Sequence, residues 1–306
     1  DDLKAFPYTN GGLFEEKVEI PQFTEELKQT LLKNASLDFD WSEISPTIFG
    51  AMFESTLNPN TRRSGGMHYT SIENIHKVID PLLLNDLRQE LDTILEEKVE
   101  RQRQKKLDAY QDKLASLTFL DPACGSGAFP MSMLQQMVHI LQQVDPDNTQ
   151  WREVLLNMAV DESRRAFGIV DEEERKKKLL EIEETFNNGL NSPDYTRKLY
   201  IIESCIYGVD IQPIAMLISR LRFFITLICE QNDIQRDKPE INFGIKTLPN
   251  LESKFVAANS LINADIHKYN EDWTQDEVLA LLKNELIAIR RRHFYTRKRS
   301  EKIRLL

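Results

Sequence analysis

The chain has 306 residues, 41% of them hydrophobic and 29% charged, and carries a net charge of -10. This composition suits a folded protein with a sizeable core and about two domains, and no run approaches the roughly 18 uninterrupted apolar residues of a membrane helix. Three scattered cysteines exclude a disulfide framework or a zinc site and point to a reducing cytoplasm, and the acidic balance excludes an overall positive coat while leaving room for a local basic surface.

Residues 1 to about 60 read as loops and short amphipathic helices. Residues 23–32 carry Leu at helical spacing behind Thr24, a candidate cap. Residues 40–54 are more apolar and suited to pack on a following domain. The turn formers Asn58, Pro59, Asn60, Gly65 and Gly66 then break the chain. The expected division is a mainly helical region over 1–65 and a second unit over 66–306. The opening Asp1-Asp2-Leu3-Lys4 and a charged helical pattern running to Leu306 suggest a fragment of a longer protein.

Ser71 and Asn74 stand near the start of a helix over 71–79, and residues from about 81 to 115 read as a long, highly charged helical segment. Acids and bases interleave from Glu96 to Lys106, as on a solvated face, with a nucleic-acid patch as the alternative. Residues 117–129 read Leu-Thr-Phe-Leu-Asp-Pro-Ala-Cys-Gly-Ser-Gly-Ala-Phe. A short apolar strand ends in Asp121, a glycine-spaced turn follows, and a helix begins near Phe129. That geometry brings backbone N–H groups up to a nucleotide-like ligand. An ordinary strand–turn–helix connection is the alternative.

Residues 145–198 read as an inserted helical hairpin, in which acids at 171–174 precede bases at 175–178, matching a helix dipole. A second strand, 205–209, ends in Asp210, and Pro213 opens an apolar helix in the position Pro tolerates best. A carboxylate there can accept both hydroxyls of a ribose, with Ile211 packing on a base, or can simply complement the helix dipole. A third strand signal, 254–258, precedes Asn259 and Ser260. Parallel strands ending at Asp121, Asp210 and Asn259 converge on one carboxyl edge, where ligands bind. The basic and aromatic run 290–299 fits either phosphate binding or an amphipathic helix.

The string Asp121-Pro122-Ala123-Cys124-Gly125-Ser126-Gly127-Ala128-Phe129 resembles the S-adenosylmethionine-binding motif of DNA amino-methyltransferases, which modify adenine N6 or cytosine N4. Residues 66–71, 207–227, 7–14 and 247–252 are similar to the flanking segments of the fused type IIG restriction–modification enzymes and related phage-defence methyltransferases. The resemblance implies an α/β fold, a doubly wound Rossmann-like sheet, truncated here, with an N-terminal helical region and a helical insert. It implies S-adenosylmethionine as cofactor, held by Asp121, Pro122, Ala123, Cys124, Gly125, Gly127 and Phe129, by Asp210 and Ile211, and by Asn259 and Ser260. Tyr69 and Thr70 would lie along its methionine end; a helix cap is the other reading of Thr70. Where the family usually has Asp, this chain has Asn259, which is as well suited to a turn. His68 reads as a turn or surface residue.

The implied reaction is direct attack of a base amino group on the sulfonium methyl, carried by positioning and desolvation. Double-stranded DNA is then the partner, with nuclease and target-recognition domains elsewhere in the same chain and no membrane association. The family's Asn-Pro-Pro-aromatic string, which holds the flipped base, is absent from these residues, so no catalytic residue is assigned and the motif is expected beyond Leu306. No metal site is expected either, because Asp194 and Glu203 lack the Lys of a metal-dependent nuclease. A non-catalytic nucleotide-fold scaffold and a methyltransferase acting on another acceptor are the rival readings.

Overall fold

The computed structural model describes residues 22–34, 38, 55, 70–146, 149–191, 193–231, 245, 248–262 and 276–295. The segments read above at 7–14, 40–54 and 58–69, together with 296–299, lie outside them. The helix α1 (Glu25–Leu32) is capped by Thr24, whose hydroxyl accepts from Leu27 N–H. It buries none of its residues.

The helix α2 (Ile72–Ile79) buries Ile75 and Ile79, one turn apart, and begins at Ser71, whose hydroxyl accepts from Asn74 N–H at 3.4 Å. The cap is therefore Ser71 and not Thr70. A π-helical turn over Asp80–Leu84, carrying Pro81, leads into α3 (Asn85–Leu95). The helical segment expected over about 81–115 is helical but broken, since α4 spans Glu100–Ser116. The break follows from Glu97. Its carboxylate accepts from Val99 N–H at 3.3 Å and from Lys106 Nζ at 2.6 Å, a side-chain alternative to continuing the helical ladder.

Three parallel strands follow, each on the expected residues: β1 (Phe119–Asp121), β2 (Ile206–Asp210) and β3 (Phe255–Ala257), in the order β1-β2-β3. The register aligns Asp121 with Gly208, and Asp210 with Ala257. Between β1 and β2 run α5 (Ala128–Val144), α6 (Thr149–Phe167), α7 (Glu172–Asn191) and α8 (Pro193–Ser204); α9 (Pro213–Ile228) follows β2 and α10 (Asp276–Tyr295) follows β3. Helices α6 and α7 pack on each other, whereas α8 packs on α5 and β2.

One face of the sheet, with Ile206, Gly208 and Phe255 buried, meets α5, α8 and α9; the Phe223 and Phe255 rings lie 4.6 Å apart. This contact joins the main core, which includes Met131, Leu134, Ile201, Ile202, Phe224 and Leu227. The opposite face, with Leu120, Tyr207, Val209 and Val256, lines a recess of about 350 Å³ that Arg290 of α10 also borders. The described molecule is thus α-rich, with a small parallel sheet. No helix among the described residues is long and apolar enough to cross a membrane.

Candidate functional site

The site begins with the turn between β1 and α5. Gly125 and Gly127 have φ of +54° and +78°, the left-handed region in which a side chain is strained. A Cβ added at Gly125 would meet nothing within 4 Å, so the turn is open there. At Gly127 the same carbon would come 2.9 Å from Ser219 Oγ, and close packing against α9 demands glycine.

Two carboxylates frame the turn. Asp121 Oδ1 accepts from Ala123 N–H at 3.1 Å. Asp210 Oδ2 accepts from Gly125 N–H at 2.9 Å, across 85 residues of sequence, and its Oδ1 accepts from Gln212 N–H at 2.8 Å. Cys124 N–H donates to Val209 O at 2.9 Å, which stitches the turn to the end of β2. The turn and the second acid therefore face each other directly. Burial pushes the Asp121 carboxyl above its ordinary range, and the neighbouring Asp210 charge adds to this against the Ala123 N–H. The same surroundings push the Cys124 thiol up to about 12, so it is a protonated packing group and no nucleophile.

The other sequence-predicted residues fall around this centre. Pro122 and Ala123 are exposed, Phe129 is half-buried, and Ile211 is 60% exposed beside Asp210. Ala258 N–H donates to Asp210 O at 2.9 Å, which carries the end of β3 to the same edge. Asn259 and Ser260 are exposed there, and Asn259 Oδ1 accepts from Leu261 N–H at 3.0 Å in a local turn. Thr70 is half-buried at the start of α2, which packs on α5. Tyr69 lies outside the described residues.

Three contributors escaped the sequence reading. Gly208, in mid-strand, leaves space into which Cys124 and Phe255 project. Ser219 and Arg222, on the buried face of α9, bond the turn's backbone: Ser219 Oγ donates to Gly125 O at 3.0 Å, and Arg222 Nη1 to Ser126 O at 2.6 Å. A mid-strand glycine and two polar residues at i, i+3 within an apolar stripe were the available signals. The basic run ending α10 is partly internal, since His293 and Phe294 are buried and their carbonyls accept from Asn250. Asp194, weighed above for a nuclease, accepts from Gln142 at 3.0 Å and from Arg197 at 2.7 Å. Among the described residues no group of His, Cys, Asp or Glu is arranged to hold a metal ion.

Comparison with known proteins places a family model described as "MmeI, DNA-methyltransferase domain" on residues 96–277, more than half of the chain. "DNA methyltransferase A" of Bacillus subtilis (strain 168) is 37% identical over 136 residues, covering 42% of this chain and 14% of that protein. A "putative type II restriction enzyme and methyltransferase" of Methanocaldococcus jannaschii is 27% identical over 296 residues, covering 85% of this chain and 21% of that protein. Among solved structures, the type IIL restriction-modification enzyme MmeI in complex with DNA is 29% identical, with a TM-score of 0.49 over 86% of this chain and 29% of that one. The chain spans no more than about a fifth of the length of these curated relatives.

Proposed function

Since the chain belongs to the family of the MmeI DNA-methyltransferase domain, we propose that it is the cofactor-binding part of an S-adenosylmethionine-dependent DNA methyltransferase of the restriction–modification type, with adenine N6 as the acceptor. The single observation that carries this reading is the 2.9 Å bond between Gly125 N–H and Asp210. It puts an open glycine turn and a strand-end carboxylate at one edge of a parallel sheet, as nucleoside recognition requires. The open space over Gly125 leaves room for the ligand.

On this reading Asp210 accepts the ribose hydroxyls and Ile211 packs on the adenine. Asp121, Pro122, Ala123, Cys124, Gly125, Gly127 and Phe129 shape the pocket for the remainder, and Thr70, with Tyr69, lies toward the methionine end. Asn259 and Ser260 border the adenine; the second lone pair of Asn259 Oδ1 can accept from its amino group. When bound, S-adenosylmethionine supplies the electrophilic methyl group. The chain's own residues bind and orient it and exclude water. The sheet is read as the start of a doubly wound, Rossmann-like fold over 66–306, with the hairpin within 145–198 as an insert and 1–65 as a separate helical region.

No residue of this chain is given the role of holding the target base, because it has no Asn-Pro-Pro-aromatic string. These residues by themselves are accordingly proposed to bind the cofactor and not to transfer its methyl. In the full-length protein the acceptor is double-stranded DNA, with target-recognition and nuclease domains in the same chain and the cytoplasm as its setting. Calorimetric titration of the full-length protein with S-adenosylmethionine tests the reading. Asp210→Ala is expected to weaken binding by about 1–3 kcal/mol, the cost of removing a polar partner from a site built around it. Undiminished affinity in that variant would reject the assignment.

A further inference from the structure

Arg222 is the largest of the fully buried side chains among the described residues, 1% exposed, and Ser219 is 0% exposed one turn before it. A buried guanidinium is costly and persists only where its donors are used. Here Nη1 donates to the carbonyl of Ser126 at 2.6 Å and reaches Ser126 Oγ at 3.4 Å. Ser219 Oγ donates to the preceding carbonyl, that of Gly125, at 3.0 Å. Two successive peptide groups of the turn are therefore held by two side chains on one face of α9.

The consequence follows from peptide planarity. In a trans peptide the C=O and the following N–H point in opposite directions, and the described chain has no cis bond. With the Gly125 carbonyl fastened to α9, the Ser126 N–H points away from α9. Asp210 meanwhile holds the Gly125 N–H from the sheet side. The turn is thus clamped from both sides, which restrains glycines that permit this conformation but do not by themselves hold it.

We propose that Ser219 and Arg222 are positioning residues that preset the glycine turn for the nucleoside cofactor, an inference that rests on the reading of this site as the S-adenosylmethionine pocket. They act through the turn's carbonyls and do not touch the ligand. A turn left to fluctuate would have to be ordered by the ligand itself, which weakens binding.

The test is calorimetric titration of the full-length protein with S-adenosylmethionine, alongside thermal unfolding without ligand. Arg222→Lys keeps the charge but loses the planar fork, and is expected to raise Kd by about tenfold or more; Ser219→Ala, the gentler variant, is expected to raise it about fivefold. The control is Arg197→Lys. Arg197 is likewise buried, but it donates to Asp194 and to the carbonyls of Asp145 and Pro146, at the far end of α5. A merely structural role would lower the unfolding temperature of all three variants and leave the Kd of the folded protein alone. Weakened binding in the two turn variants, with the control at wild-type affinity, supports the proposal. Unchanged affinity in Ser219→Ala and Arg222→Lys overturns it while leaving the cofactor reading intact, as does equal weakening in the control. A wild type that binds no S-adenosylmethionine overturns both.

Discussion

Gly208 has no room for one more carbon. A Cβ built there would lie 2.7 Å from Cys124 Sγ and 2.8 Å from Phe255 Cδ1, distances at which something must shift. Both obstacles matter to the site, because Cys124 sits within the turn and Phe255 opens β3. Gly208→Ala is expected to destabilise the fold by about 1–3 kcal/mol through overpacking, read as a lower denaturation midpoint with an unchanged slope. A midpoint equal to wild type would show that the sheet yields more easily than this packing implies. The position illustrates how backbone proximity is recorded as a missing side chain, which only the partner strand and turn make interpretable.

At the level of elements, the hairpin of α6 and α7 stands apart from the site. Its helices pack mainly on each other, with Ala166 and Ile182 buried, while Phe167 and Val170 at the connecting turn are 68% and 96% exposed. The ends it leaves are already fastened together: Gln142 donates to Asp194 at 3.0 Å, and Arg197 donates to the Pro146 carbonyl at 3.0 Å. A short linker can therefore span the excision. Replacing residues 147–192 with about four Gly and Ser residues is expected to leave cofactor affinity within roughly threefold of wild type, since distant, independent changes do not couple. Calorimetry on the excised protein checks this, and a large loss of affinity would tie the hairpin to the pocket. By contrast, α5 and α9 carry core contacts along their length, and α9 also holds the turn through Ser219 and Arg222.

For the molecule as a whole, the half-buried carboxyl of Asp121 links stability to pH. Its raised pKa means that the native state holds that proton more tightly than the unfolded chain does. Stability from this group is therefore greatest in acid and declines as pH rises from the unfolded to the folded pKa, the reverse of a salt-bridged Asp. Asp121→Asn keeps an acceptor for Ala123 N–H and removes the charge. Its unfolding temperature is expected to exceed that of wild type by about 1–3 °C at neutral pH, with the gap closing toward acid. A gap that widened toward acid would contradict the sign. The same change is expected to weaken cofactor binding, so stability and the site pull in opposite directions at this residue.

How much of this was legible beforehand differs from residue to residue. The amino-acid sequence by itself determined the three strand positions, the acid at the end of β1, the acid at the end of β2 and the glycine turn between β1 and α5. Short apolar runs closed by an acid, a turn former and an apolar helix are local signals, complete within about a dozen residues. The sequence did not place the break that the Glu97 carboxylate makes within the helical segment 81–115, and it offered Thr70 as a cap where Ser71 serves. Only the tertiary structure could decide that Asp210 holds the Gly125 N–H, that Ser219 and Arg222 hold the next two carbonyls, and that Gly208 makes room for Cys124. Those partners lie some 80 to 100 residues apart, and only the folded packing of sheet against α9 brings their atoms within bonding distance.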